Sequence, residues 1–157
     1  MVANDIYDPV LNKTYYDYGK DDNSSMWYGQ NEVTLPIWIL NELKSDRNSA
    51  IIGHFPGADV PFLNRTVSFS RDYDNKLDLY KKVDSLVELF MEKDKKNRIN
   101  FGVLYFTEPD ETGHQFGPYS GNLKAILNKI DMIVGYLIEK LINNNLFDRM
   151  SKKPLFK

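Results

Sequence analysis

Asp110 and His114 are the residues of this chain best placed to do chemistry. They lie four apart in the segment Tyr105-Phe-Thr-Glu-Pro-Asp-Glu-Thr-Gly-His-Gln-Phe-Gly-Pro118. A carboxylate oxygen and an imidazole nitrogen are good zinc ligands. The segment follows an apolar run from Ile99 to Phe106 that reads as a buried strand. Ligands of open α/β sheets usually sit at the carboxyl ends of strands. Pro109 and Gly113 predict a bent loop carrying the pair, which would supply half of a metal site. His54, the other of the two histidines, precedes the turn Phe55-Pro-Gly-Ala-Asp59 and reads as a structural or surface residue.

The flanking sequence supplies the elements that must hold this segment. The first 30 residues, rich in Asp, Asn, Tyr and Gly, read as loop with a short strand near Tyr15 to Tyr18. Thr34-Leu-Pro36 followed by Ile37, Trp38, Leu40 and Leu43 reads as a helix start with proline in the first turn. Trp38 falls on its core face, while Trp27 and Tyr28 fit a substrate groove or a sheet edge equally well. Ala50 to His54 is a second strand. Asp74 is a candidate cap for a helix with Leu77, Tyr80, Val83, Leu86, Val87 and Phe90 on one face. Ser120 caps a long helix whose apolar stripe, Leu123, Ile126, Leu127, Ile130, Ile133, Val134, Leu137, Ile138, Leu141 and Ile142, is assigned to the core. Helix and strand in alternation predict an α/β fold with a mostly parallel sheet flanked by helices. After the long helix, Met150-Ser-Lys-Lys-Pro-Leu-Phe-Lys157 has no strand character, so the sheet is expected to be incomplete at that end.

Composition narrows the classes. The 157 residues suffice for one core, and 42% hydrophobic with 27% charged residues is a globular balance. A net charge of -2 gives no general attraction to nucleic acid or anionic lipid, and basic residues are not interleaved with aromatics. The cluster Lys93, Lys95, Lys96 and Arg98 reads as a solvated helix C-terminus. No apolar stretch reaches the ~20 residues of a membrane span. No basic region followed by an apolar block opens the chain as a signal peptide would. The absence of cysteine excludes disulfides and thiolate zinc sites. Asn12-Lys-Thr14, Asn23-Ser-Ser25 and Asn64-Arg-Thr66 are glycosylation acceptor triplets, which favour a secreted product whose natural N-terminus lies upstream.

Five segments in order across the chain resemble the nucleotide pyrophosphatase/phosphodiesterase family of the alkaline phosphatase superfamily. They are Val2-Ala-Asn-Asp-Ile-Tyr-Asp-Pro9, Leu35-Pro-Ile-Trp38, Phe55-Pro-Gly-Ala-Asp59, Tyr105 to Pro118, and Ile130-Asp-Met-Ile-Val-Gly-Tyr-Leu137. Glu108-Pro-Asp-x-x-Gly-His114 with Gly117-Pro118 is the most specific. The resemblance implies an extracellular zinc-dependent hydrolase of phosphodiester or pyrophosphate bonds in nucleotides. Two zinc ions would hold a threonine nucleophile and the phosphoryl oxygens. Asp110 and His114 then match ligands of the zinc nearer the substrate phosphate. Asn4 matches an asparagine that donates a hydrogen bond to a phosphate oxygen, and Tyr105 a position lining the nucleotide pocket. Phe55 departs from the family, where tryptophan commonly precedes that proline.

The family's nucleophilic threonine and an early aspartate ligand would precede Met1, and its remaining aspartate and histidine ligands would follow Leu146. On this reading residues 1–157 are the middle of a catalytic domain, inactive alone, with at most a partial zinc site. Two alternatives remain: a truncated non-catalytic binding product, and a phosphodiesterase acting on choline phospholipids. Tyr105 leans toward a nucleotide.

Overall fold

The computed structural model describes residues 5–16, 35–44, 46–53, 55, 57, 58, 60–71 and 78–148, and its central feature is a short parallel sheet with helices on both faces. A hairpin comes first: β1 (Asp5–Asp8) pairs antiparallel with β2 (Lys13–Tyr16), Asp5 opposite Tyr16 and Asp8 opposite Lys13. There follow α1 (Ile37–Glu42), β3 (Ser49–Ile52), β4 (Phe69–Arg71), α2 (Leu79–Met91), β5 (Phe101–Leu104), α3 (Asp110–Phe116) and α4 (Gly121–Asn143). The sheet order is β4-β3-β5, with β3 parallel to both neighbours, Ala50 beside Phe69 and Gly102.

All four residues of β3 are buried, as expected for a central strand covered on both faces. The two-residue period divides them between two cores. Ala50 and Ile52 pack with Val83, Leu86, Val87 and Phe90 of α2 and Ile133 of α4. Ile51 packs on the other face with Trp38 and Ile39 of α1, and with Val60, Phe62 and Val67. In β5, Phe101 and Val103 turn toward α1. Gly102 faces α2 so closely that a β-carbon there would sit 2.7 Å from Leu86 Cδ1 and 3.0 Å from Phe90 Cε2. The missing side chain at 102 therefore lets α2 lie directly on the sheet.

Polar groups fix the amino end of the sheet. Asn41, buried in α1, donates to Ser49 Oγ at 3.0 Å and to the Asn48 carbonyl at 3.2 Å. Ser49 Oγ donates to the Trp38 carbonyl at 2.8 Å. Glu42 Oε1 accepts the amides of Ser49 and Ser68 at 2.8 and 2.9 Å, tying the entrances of β3 and β4 to one carboxylate. Asn48 Nδ2 donates to the carbonyls of Lys96 and Arg98, anchoring the turn that leads into β5.

Several expectations need correction. The opening residues, read mainly as loop, contain the β1–β2 hairpin; its second strand lies slightly ahead of the predicted one, because a turn with Asn12 at φ 47° sets the register. Strand β4 was not anticipated, since three residues are too few to show a period. Asp78, not Asp74, caps α2 by accepting the Tyr80 amide at 3.1 Å; Asp74 lies outside the described residues. The basic cluster lies beyond the end of α2 at Met91, where Lys93, Lys95 and Lys96 are exposed in a turn. Ser120 does cap α4, accepting the Leu123 amide at 3.1 Å. The stripe of α4 is core on one side only. Ile133 is buried, whereas Leu127, Val134, Ile138 and Ile142 are exposed, because among the described elements the backbone of α4 runs close only to α2 and α3, and Ile133 alone of its residues is buried in the core.

A polar clasp joins α2 to α4. Tyr136 Oη donates to Asp84 Oδ1 at 2.8 Å, and Lys140 Nζ lies 2.9 Å from the same oxygen and 5.1 Å from the Tyr136 ring centre. Tyr80 meets Tyr136 edge to face at 5.0 Å. Hydrogen bonds from Lys140 and then Tyr136 hold the Asp84 carboxyl below its ordinary value. A depressed carboxylate stabilises the fold above its unfolded pKa, near 3.9, and loses that contribution as pH falls through the folded value. Asp84→Asn is expected to lower the melting temperature at pH 7, with the gap from the parent narrowing as pH falls below the ordinary carboxylate value. Thermal melts of both proteins across pH 2 to 7 test this.

Candidate active site

At the carboxyl end of β5 the sheet pairing runs one residue further, with the Tyr105 amide donating to the Ile52 carbonyl at 2.8 Å. Gly53 follows β3 with φ +105° and lies against the backbone of Tyr105. Its amide donates to the Arg71 carbonyl at 2.9 Å. Tyr105 is half-buried and meets Phe55 edge to face at 5.3 Å; Phe55 meets Trp38 at 5.5 Å. Three aromatic rings thus run from the α1-side core to the strand end. The Trp38 indole nitrogen is buried and has no acceptor among the described residues.

Beyond Tyr105 the chain turns through a cis Glu108–Pro109 bond into α3. Pro109 occupies the N-cap and offers no side-chain acceptor. Glu108 fills that role: Oε2 accepts the Thr112 amide at 3.1 Å and Oε1 the Thr112 hydroxyl at 2.8 Å. A carboxylate at this position also suits the positive end of the helix. Gly113 faces α4, where an added β-carbon would come 3.9 Å from Leu123 Cδ1. Gly117, at φ +84°, ends the helix. Its carbonyl accepts the Ser120 hydroxyl at 3.0 Å, fixing the entry to α4.

Asp110 and His114 therefore stand on a helix and not in a bent loop. Residues four apart share one helical face. Asp110 Oδ1 and His114 Nε2 are 3.5 Å apart, with side chains 78% and 62% exposed. Zinc–oxygen and zinc–nitrogen distances of about 2.0–2.2 Å at a tetrahedral angle put two donors roughly 3.4 Å apart. The donor types and their separation fit two positions of a zinc ion. Among the described residues, no group of three or more His, Cys, Asp or Glu could hold a metal.

A cavity of about 550 Å³ lies beside this helix, walled by Tyr80, Lys82, Phe106, Glu108, Glu111 and Ile126 among others. Neither Asp110, His114 nor Tyr105 lines it. Asn4 and His54 lie outside the described residues. The structure thus pairs Asp110 with His114 on α3 and places Tyr105 at the end of β5, ahead of that helix. Glu108 and Thr112, which shape the start of α3, were missed; acids around a proline ahead of a short segment are the helix-start signal that could have found them.

A parallel sheet flanked by helices, with an acid and a histidine paired on the helix that follows β5, defines an α/β protein, and comparison with known proteins gives the family. Residues 1–151 match the family described as Type I phosphodiesterase / nucleotide pyrophosphatase, and the chain belongs to that family of enzymes. Human ectonucleotide pyrophosphatase/phosphodiesterase family member 5 is 32% identical over 152 residues, 96% of this chain and 30% of that protein. The bis(5'-adenosyl)-triphosphatase of Pongo abelii is 30% identical over 96% of this chain and 32% of its own length. The solved structure of an inactive murine ectonucleotide pyrophosphatase/phosphodiesterase 5 in complex with AMP superposes with a TM-score of 0.72 at 34% identity, over 92% of this chain and 37% of that one. The fold is thus alkaline-phosphatase-like, and the chain spans about a third of the length of the relatives it matches.

Proposed function

We propose that residues 1–157 are the middle portion of a catalytic domain that hydrolyses phosphodiester or pyrophosphate bonds in extracellular nucleotides with two zinc ions. The observation that carries this reading is the 3.5 Å approach of Asp110 Oδ1 and His114 Nε2 on one exposed helical face at the end of β5. The family match and the AMP bound by a relative support the hydrolase and the nucleotide. Bound zinc would supply a Lewis acid for the phosphoryl oxygens and activate an attacking hydroxyl. Asp110 and His114 provide one oxygen and one nitrogen ligand. Glu108 and Thr112 hold the first turn of α3, and so the direction of Asp110. Tyr105, stiffened by Phe55, offers an aromatic edge to a base or sugar. Asn4 donates its amide to a phosphate oxygen. The nucleophile and the other metal ligands come from outside the described residues.

The test uses a form as long as the relatives, with a dinucleoside polyphosphate as substrate. Chelation should abolish turnover and zinc should restore it. Turnover that survives complete zinc removal sinks the reading. A choline phosphodiester hydrolysed in preference to every nucleotide would instead move the substrate class.

A further inference from the structure

We infer that Asn64 is a glycan acceptor on the face opposite the candidate active site. The inference rests on the reading that the chain enters the secretory pathway. Phe62 and Arg65 exchange amide–carbonyl hydrogen bonds at 2.8 and 2.9 Å around a two-residue turn. The central residues Leu63 and Asn64 both have positive φ, 51° and 57°. Left-handed backbone at both positions is the type I′ turn, where asparagine is among the best-tolerated residues. Asn64 and Thr66, the two residues of the acceptor triplet that glycan transfer needs, are both exposed. No partner holds the Asn64 amide among the described residues, so its nitrogen can carry a large substituent without disturbing a contact.

Asn12 is less suited. Its Oδ1 accepts the Tyr7 hydroxyl at 2.8 Å, and its triplet partner Thr14 is half-buried and paired with Tyr7 inside the hairpin. Asn23 lies outside the described residues.

The turn's position gives the modification a direction. Arg65 Nη1 donates to the Glu42 carbonyl at 3.3 Å, and Glu42 also binds the amide of Ser49, the first residue of β3. Asn64 is thereby fixed near the amino end of the parallel sheet, while Tyr105 and Asp110 follow its carboxyl end. A bulky hydrated chain at Asn64 shields the exposed Leu63 and leaves the other rim open.

The transfer uses a lipid-diphosphate-linked oligosaccharide. The Asn64 Nδ2–C1 bond forms as the sugar C1–O bond to diphosphate breaks, and the lipid diphosphate leaves with the amide proton. The experiment expresses the full chain behind a cleavable secretion leader in glycosylating cells. Cell and medium fractions are pooled, because transfer accompanies translocation. N-glycans are then released in heavy-oxygen water and the asparagine peptides weighed. Label at Asn64 in most copies, several-fold above Asn12, is expected; Thr66→Ala should remove it while leaving Asn64 in its turn. An unlabelled Asn64, or one labelled no more than Asn12, overturns the inference. Weighing the native protein's peptides separates the two readings: Asn64 labelled only when the leader is supplied would refute the secretory location and leave the acceptor assignment standing.

Discussion

Replacing Asp110 with alanine in a form that carries the whole catalytic unit is expected to lower turnover at least about 100-fold. Loss of an outer partner of a metal ligand typically costs 10–100-fold in affinity or activity, and loss of a ligand itself should reach the upper end or exceed it. His114→Ala should do the same. On the proposed reading both donors serve one ion, so the double variant should lose little more than either single one. Bound zinc, counted by atomic spectroscopy, should fall in parallel. Thermal stability of the metal-free proteins should change little, since both side chains are exposed and their mutual contact is a surface pair. Normal zinc content with retained turnover in Asp110→Ala would refute the ligand assignment. A large fall in melting temperature of the metal-free variant would show that the pair serves the fold.

Gly53→Ala should be among the most damaging single-atom additions to this chain, destabilising it by about 3 kcal/mol. Two effects combine. The backbone at φ +105° lies where L side chains rarely sit, and such strain costs of order 1–3 kcal/mol. The new methyl would also run into the Tyr105 carbonyl oxygen, with the Tyr105 carbonyl carbon only 3.0 Å away. Backbone cannot rotate aside as a side-chain end can, so the sheet must open there. Gly117→Ala is the control. It shares a positive φ, +84°, but an added β-carbon meets nothing within 4 Å. With ψ at 163° it too lies in backbone space that is essentially glycine's alone, so its cost should be strain of order 1–3 kcal/mol without the collision, below that of Gly53→Ala. Urea unfolding of both variants separates strain from collision; equal losses would mean that the Gly53–Tyr105 approach does not matter.

Much of this was legible in the residues, for identifiable reasons. The strands β3 and β5 declared themselves as short apolar runs, although β5 is half-buried and not fully buried as expected, and α2 and α4 by a 3.6-residue stripe. The Asp110–His114 pair was visible from type and spacing. Its helical setting was not, because α3 has seven residues with glycine inside, proline before it and no apolar stripe. Its stability comes from the Glu108 carboxylate on Thr112, a contact that no periodicity encodes. Strand β4 depends wholly on its neighbour, β3. The half-covered state of α4 was likewise beyond reach, since a stripe states that a face is apolar and not what lies across it.

The file of rings Trp38, Phe55 and Tyr105 also makes the buried core an optical instrument. Contacts of 5.5 and 5.3 Å put an almost fully enclosed indole one ring away from a tyrosine at the rim. Tyrosine excitation at Tyr105 should pass efficiently to Trp38, whose emission should be blue. With Trp27, the other tryptophan, changed to phenylalanine, Trp38 is the single indole among ten tyrosines, and its blue emission can be followed apart from theirs. Anything that reorients Tyr105, an arriving base or the Gly53 methyl alike, then becomes readable as a change in light from the protein interior.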